Sequence, residues 1–199
     1  MLDDGGRVGQ TPDMDHGDHV RLIRDGASGG GNTWADLGSG EGAFTLALAN
    51  LLGSTGLIYT VDRDGRALQV QLRALRDAFP GVAATPLVAD FTKPLELPPL
   101  DGIVMANSLH FVRDKLAALR LITGYLRPGG RLVLVEYESD HGNQWVPFPM
   151  SFRTWTTVAA EAGLRDTKRL ASIPSRFLGS IYSAVSFAEK TTGLAPQLD

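Results

Sequence analysis

The chain has no cysteine among its 199 residues, which removes disulfides, thiolate metal sites and a cysteine nucleophile at once. No apolar run approaches the length of a membrane span, and the polar start Met1-Leu2-Asp3-Asp4 lacks the apolar stretch of a secretory signal. The expectation is a cytoplasmic protein with no membrane partner. Basic charge is scarce as well: the formal net charge is −3 and the pI is near 5.8, so a nucleic acid meets no broad basic surface. A local patch from Arg21, Arg24, Arg153, Arg165, Lys168, Arg169 and Arg176 keeps RNA or tRNA open as an alternative partner. Internal repeats are missing too, and the length suits one sizeable core rather than two.

What the chain does have is glycine in one telling place. Thr33-Trp34-Ala35 reads as a short buried strand, and Phe44, Leu46, Ala47, Leu48, Leu51 and Leu52 read as an apolar helix. Between them stand Asp36, Gly38, Ser39, Gly40 and Gly42. Glycines at a strand-to-helix junction let the backbone turn sharply and approach a ligand, and the free N–H groups of the helix start favour electron-rich ligand atoms. The spacing of Gly38, Gly40 and Ala43 also satisfies the dinucleotide fingerprint, so glycine alone does not choose the cofactor. Asp36 tips the balance, because a carboxylate there would repel a pyrophosphate and favour a cationic, phosphate-free nucleoside.

The following elements fit a doubly wound sheet. Leu57 to Val61 is β-rich and ends in Asp62, about twenty residues after the glycines, where an acid can grip a ribose diol; Arg63 follows it. Its plainer alternative is a helix cap. Leu68, Leu72, Leu75 and Phe79 fall at helical spacing, with Pro80-Gly81 as the stop. A third strand near Ala83 to Val88 leads to Asp90 and Phe91, and the proline-rich stretch from Lys93 to Pro99 predicts an extended connection. A fourth strand enters Asn107-Ser108-Leu109-His110. Leu116, Leu119, Ile122 and Leu126 then predict one face of a helix that Arg127-Pro128-Gly129-Gly130 would end, before a strand from Arg131 to Val135.

Taken together, Asp36-x-Gly38-x-Gly40-x-Gly42, the acids Asp62 and Asp90, and the phrase Leu126 to Val133 resemble the class I S-adenosylmethionine-dependent methyltransferases of the small-molecule type over residues 33 to 136. The resemblance implies an α/β fold with a seven-stranded, mostly parallel sheet, helices on both faces and a C-terminal antiparallel hairpin. It implies S-adenosylmethionine as cofactor, with Asp90 at the adenine amino group, a neighbouring backbone N–H, at Phe91, meeting the ring, and Asn107 near the methionyl end. Residues 1–32 would form a cap, tied by a flexible glycine-rich connection, 33–136 the cofactor core, and 137–199 the acceptor-side loop, helix and hairpin. Asn107-Ser108-Leu109-His110 also lacks the Pro-Pro-aromatic sequence of relatives that methylate adenine in DNA.

The implied activity is methyl transfer to a small, largely apolar metabolite. RNA, tRNA or protein methylation, a dinucleotide-dependent oxidoreductase and a non-catalytic binder of the cofactor stand as alternatives. Tyr137, Trp145, Phe148 and Met150 are candidates to line the acceptor site, or equally to anchor a long loop. His110, Glu138 and His141 are candidate proton acceptors, although His110 reads more readily as a packed histidine. Asp13, Asp15, His16, Asp18 and His19 could suggest a metal, but such clusters are more often solvated charge at a helix entry, and no metal is expected.

Overall fold

The computed structural model describes residues 14–175 and 177–189. The first thirteen residues with Asp13, Arg176 of the basic patch, and 190–199 lie outside the described residues.

Seven strands form a single sheet: β1 (Thr33–Leu37), β2 (Leu57–Asp62), β3 (Ala83–Val88), β4 (Leu100–Ala106), β5 (Leu126–Tyr137), β6 (Leu164–Ser175) and β7 (Gly179–Ala188). Their spatial order is β3-β2-β1-β4-β5-β7-β6; β7 runs antiparallel to both β5 and β6, and the other neighbouring pairs are parallel. The order reverses between β1 and β4. In an open sheet that reversal leaves a crevice beyond the carboxyl ends of the two strands, where ligands bind.

The inner strands β1, β4, β5 and β7 are buried on both faces over most of their length, unlike the edge strands β3 and β6, so side chains of opposite parity feed two cores. Trp34, Val104, Val133 and Val135 meet one set of helices, while Ala35, Ile103, Met105, Leu132 and Leu134 meet the other. The first core is closed by α1 (His16–Ala27), α2 (Ala43–Leu52) and α3 (Gly65–Ala78), through Ile23, Leu48 and Leu75. The second is closed by α4 (Lys115–Thr123) and α5 (Phe152–Glu161), through Leu119, Ile122, Trp155 and Ala159.

Local sequence sets the helix starts. Asp15 and Asp18 cap α1 reciprocally, Asp64 caps α3, Asp114 caps α4 and Ser151 caps α5. Among these helices only α2 begins without a side-chain cap, on Gly42 in the left-handed region. Its first N–H groups are left for something other than the protein's own side chains.

Two sequence expectations need correction. Helix α4 stops at Thr123, and Leu126 already belongs to β5, paired with Leu100. The ladder then shifts, resuming at Gly102 opposite Arg131, and residues 127–130 bulge within the strand; a Cβ at Gly130 would lie 2.8 Å from the Arg127 carbonyl oxygen. The connection after α1 is not a flexible hinge. Arg131 donates to the carbonyls of Gly26, Ser28 and Gly29, Trp34 donates to Gly31, and Asp101 accepts from the N–H groups of Asn32 and Thr33. Polar anchors on every side outweigh the permissiveness of its glycines, and α1 is part of the core.

Candidate active site

A cleft of about 740 Å³ opens at the carboxyl ends of β1, β2 and β4, at the reversal of strand order. Its floor is the glycine loop. The N–H groups of Gly38 and Ser39 both donate to the Val61 carbonyl at 2.8 and 3.1 Å, and the Gly40 N–H donates to Asp62 Oδ2 at 2.8 Å. Gly38 sits at φ +79°, and a Cβ there would come within 2.4 Å of Ser108 Cβ, so only glycine allows β4's exit to pack against the loop.

Of the residues expected to hold a cofactor, Gly38, Gly40, Asp62, Arg63, Asp90, Phe91 and Asn107 line this cleft. Asp62 Oδ1 is also engaged, by the Asp64 N–H at 2.9 Å, yet a carboxylate has lone pairs to spare for a diol. Asp90 is oriented by Thr92, whose hydroxyl and N–H bind Oδ1 at 2.7 and 2.9 Å and hold the carboxyl below its usual range, largely through these bonds. Asn107 has φ +52°, an uncommon backbone for a non-glycine residue, and its buried Oδ1 has no hydrogen-bond partner among the described residues. A buried acceptor without a partner is uncommon, and this one belongs to a residue that lines the cleft.

Asp36, Ser39 and Gly42 lie behind the wall. Asp36 is 1 % exposed, and its Oδ2 accepts from the Thr45 hydroxyl at 2.6 Å, which in turn accepts from Gln71 Nε2 at 2.6 Å. Burial pushes its carboxyl up to about 7, with the Thr45 bond opposing the rise and the Asp62 charge adding to it. Asp36 therefore braces the loop from beneath instead of presenting a full negative charge to a ligand, which corrects the electrostatic argument drawn from sequence. Gly42 is glycine because a Cβ would stand 2.4 Å from Gln71 Cγ.

The acceptor-side candidates do not converge. Tyr137 is buried beside His110, Trp145 is 66 % exposed, and Phe148 lies under the cations of Arg113 and Lys115 at 5.4 and 5.6 Å. Met150 is buried and borders a smaller cleft of about 310 Å³ beside α4 and α5. The loop folds onto the domain because Phe148 donates its N–H to the His110 carbonyl and Ser151 binds the Asp140 carboxylate. Glu138 is taken up by Arg169 and by the Phe152 N–H, and His141 is exposed. His110 is 3 % exposed, with Nδ1 3.0 Å from Glu136 Oε1.

Sequence reasoning missed the opposite wall: Ser108, Phe111, Val112, Asp114, Ala117 and Ala118, from the exit of β4 and the start of α4. It also missed Glu136, Thr45 and Gln71, whose polarity inside apolar runs was the available signal. Of the acidic and histidine cluster at the start of α1, Asp15 and Asp18 serve as caps, and His19 packs its ring on Phe44 at 4.8 Å.

The family description "Methyltransferase domain" matches residues 35–134, half of the chain. The chain belongs to this family, in its class I, S-adenosylmethionine-dependent branch. It is 32% identical over 113 residues to the ubiquinone/menaquinone biosynthesis C-methyltransferase UbiE of Cellvibrio japonicus, covering 56% of this chain and 45% of that one. It is 28% identical over 119 residues to the 2-phytyl-1,4-naphtoquinone methyltransferase of Nostoc punctiforme, covering 59% and 52%. The chain thus spans about half the length of these relatives. Among solved structures, the N-methyltransferase NodS from Bradyrhizobium japonicum in complex with S-adenosyl-L-homocysteine shares the fold at a TM-score of 0.70 and 20% identity, over 87% of this chain and 85% of that one.

Proposed function

We propose that this protein transfers the methyl group of S-adenosylmethionine to a small, largely apolar acceptor bound against the wall formed by Phe111, Val112, Ala117 and Ala118. The observation that carries the cofactor assignment is the meeting of Asn107, Asp62 and Asp90 with the Gly38 and Gly40 loop around one cleft. Those acceptors fit a molecule with an ammonium at one end and a ribose and adenine at the other. In this reading Asn107 receives the ammonium, Asp62 the ribose hydroxyls, and Asp90 with Phe91 the adenine. The Gly38 and Gly40 backbone lets the ligand approach, Ser39, Gly42 and Asp36 keep the loop in shape, and Arg63 flanks the ribose. The bound cofactor supplies an activated methyl on a positive sulfur.

Residues 33–136 then act as the cofactor core, and the chain's share of catalysis is to hold the acceptor in line and exclude water. The names of the two relatives support a quinone-like ring as acceptor, and the net negative charge argues against a polyanion. Among the described residues no helix is long and apolar enough to cross a membrane, and the reading keeps the cytoplasmic setting expected from sequence. Titration calorimetry against S-adenosylmethionine and NADH tests the assignment: binding of the first and not the second is expected, and the reverse would overturn it. Release of S-adenosylhomocysteine with a panel of quinols then identifies the acceptor.

A further inference from the structure

The apolar wall of the cleft has a charged margin. Phe111, Val112, Ala117 and Ala118 are interrupted along the chain by Arg113 and Asp114, which line the same cleft. Both also line the smaller cleft of about 310 Å³, with Lys115, Leu116, Met150 and Val158. Arg113 therefore stands where the two clefts adjoin.

Positive charge gathers at this margin. The Arg113 guanidinium lies 5.4 Å from the centre of the Phe148 ring, and the Lys115 ammonium lies 5.6 Å from the same centre. Two like charges over one ring repel each other. Lys115 donates to the Val112 carbonyl at 2.9 Å, which supplies a dipole and no counter-charge. Among the described residues the Arg113 guanidinium has neither a hydrogen bond nor a carboxylate partner.

The acids nearby are engaged elsewhere. Asp114 Oδ1 accepts the Ala117 N–H at 3.1 Å, at the head of α4, where the helix N-terminus offsets its charge. Glu138 pairs with Arg169, Asp140 binds Ser151, and Glu136 meets His110. The other two cations lining the main cleft, Arg63 and Lys93, lie close enough to Asp90 for their charges to act on it. Arg113 differs from both in having no such acid.

Its surroundings hold it ready. Phe148 is anchored by its N–H to the His110 carbonyl at 3.0 Å, and contact with that ring restrains the guanidinium above it. A restrained arginine has less side-chain freedom to lose on binding, and its fork of N–H groups matches the two oxygens of a carboxylate.

We propose that Arg113, supported by the charge of Lys115, forms an anion subsite of the acceptor site, and that the acceptor is an apolar molecule carrying one carboxylate. This deepens the methyltransferase reading and rests on it. The apolar part lies on Phe111, Val112 and the two alanines, and the carboxylate accepts a pair of N–H bonds from Arg113. Lys115 stays on the Val112 carbonyl and acts through its charge. One carboxylate is favoured over a multiply charged group because the margin offers a single fork, with the Asp114 carboxylate beside it. Arg113 is a binding residue that selects and orients the acceptor.

Calorimetry on protein saturated with S-adenosylhomocysteine tests this with two probes of one shape, 2-naphthoate and the neutral 2-naphthamide. The wild type should bind the acid at least about tenfold more tightly than the amide, the size of one charge-assisted pair. Raising the salt concentration should narrow the gap. Arg113→Gln should bring the two probes within about threefold of each other, while its affinity for S-adenosylhomocysteine stays within about threefold of wild type. Arg113→Lys, which keeps the charge and loses the fork, should retain part of the preference, a rescue that a merely structural role would not produce. Equal affinities for the two probes, no binding of 2-naphthoate, or a preference that survives Arg113→Gln would overturn the subsite. A wild type that binds no S-adenosylhomocysteine would overturn the methyltransferase reading instead.

Discussion

The backbone N–H of Gly40 and the carboxylate of Asp62 are joined at 2.8 Å, tying the glycine loop to the tip of β2. One acid therefore shapes the floor of the cleft and offers its remaining lone pairs to whatever lies there. Asp62→Ala removes both roles. The affinity for S-adenosylhomocysteine should fall by roughly thirtyfold, the equivalent of about 2 kcal/mol for a hydrogen bond to a charged group. Calorimetry reads this directly, and an unchanged affinity would refute the diol assignment.

Two glycines in the same loop should behave differently. At Gly38 a Cβ collides with Ser108, so Gly38→Ala should destabilise the fold by more than about 2 kcal/mol, seen as a lower denaturation midpoint. At Gly40 nothing lies within 4 Å, and Gly40→Ala meets only the backbone cost of φ +52°, about 1 kcal/mol. If the cofactor lies in the cleft as proposed, the added methyl group intrudes on that ligand. We expect near-normal folding with weakened S-adenosylhomocysteine binding.

The buried acid Asp36 gives stability a pH dependence. Its carboxyl is raised from 3.8 to about 7, so the native state keeps a proton that the unfolded chain has already released. Stability from this group is therefore lost as pH rises from about 4 through about 7. Asp36→Asn cannot ionise and should be more stable than wild type at about pH 8, with the difference shrinking towards about pH 4. Urea denaturation at several pH values checks this; equal slopes in both proteins would be against it.

Trp145 and Met150 separate loop anchoring from acceptor binding. Met150→Ala opens a cavity beside Trp155 and Tyr182 in the core and should cost about 2 to 5 kcal/mol. Trp145→Ala, at a side chain 66 % exposed, should change stability by less than about 0.5 kcal/mol. A large loss of turnover in Trp145→Ala with unchanged stability would show that this loop closes over the acceptor.

Much of the fold was legible because its signals are local. The β-rich runs ending in Asp62 and Ala106 and the helical spacing of Leu68, Leu72 and Leu75 each arise from neighbours in the chain. Leu126 was misread because apolar spacing cannot tell the last turn of a helix from the first residue of a buried strand; pairing with Leu100 decides it. The connection after α1 was misread for a related reason. Its glycines permit many conformations, and the carboxylate and guanidinium that select one, Asp101 and Arg131, lie some seventy and one hundred residues away.

The sequence by itself determined the order of strands and helices, the glycine loop and the acids at the end of β2 and after β3, because periodicity, turn chemistry and motif spacing act over a few residues. Only the tertiary structure decided which acids face the cleft. Asp62 and Asp90 reach it, whereas Asp36 is sealed beneath the loop by Thr45 and Gln71, and Glu136 is paired with His110 in the interior. The reason is that a carboxylate's exposure and charge are set by the groups packed around it, and those come from distant parts of the chain.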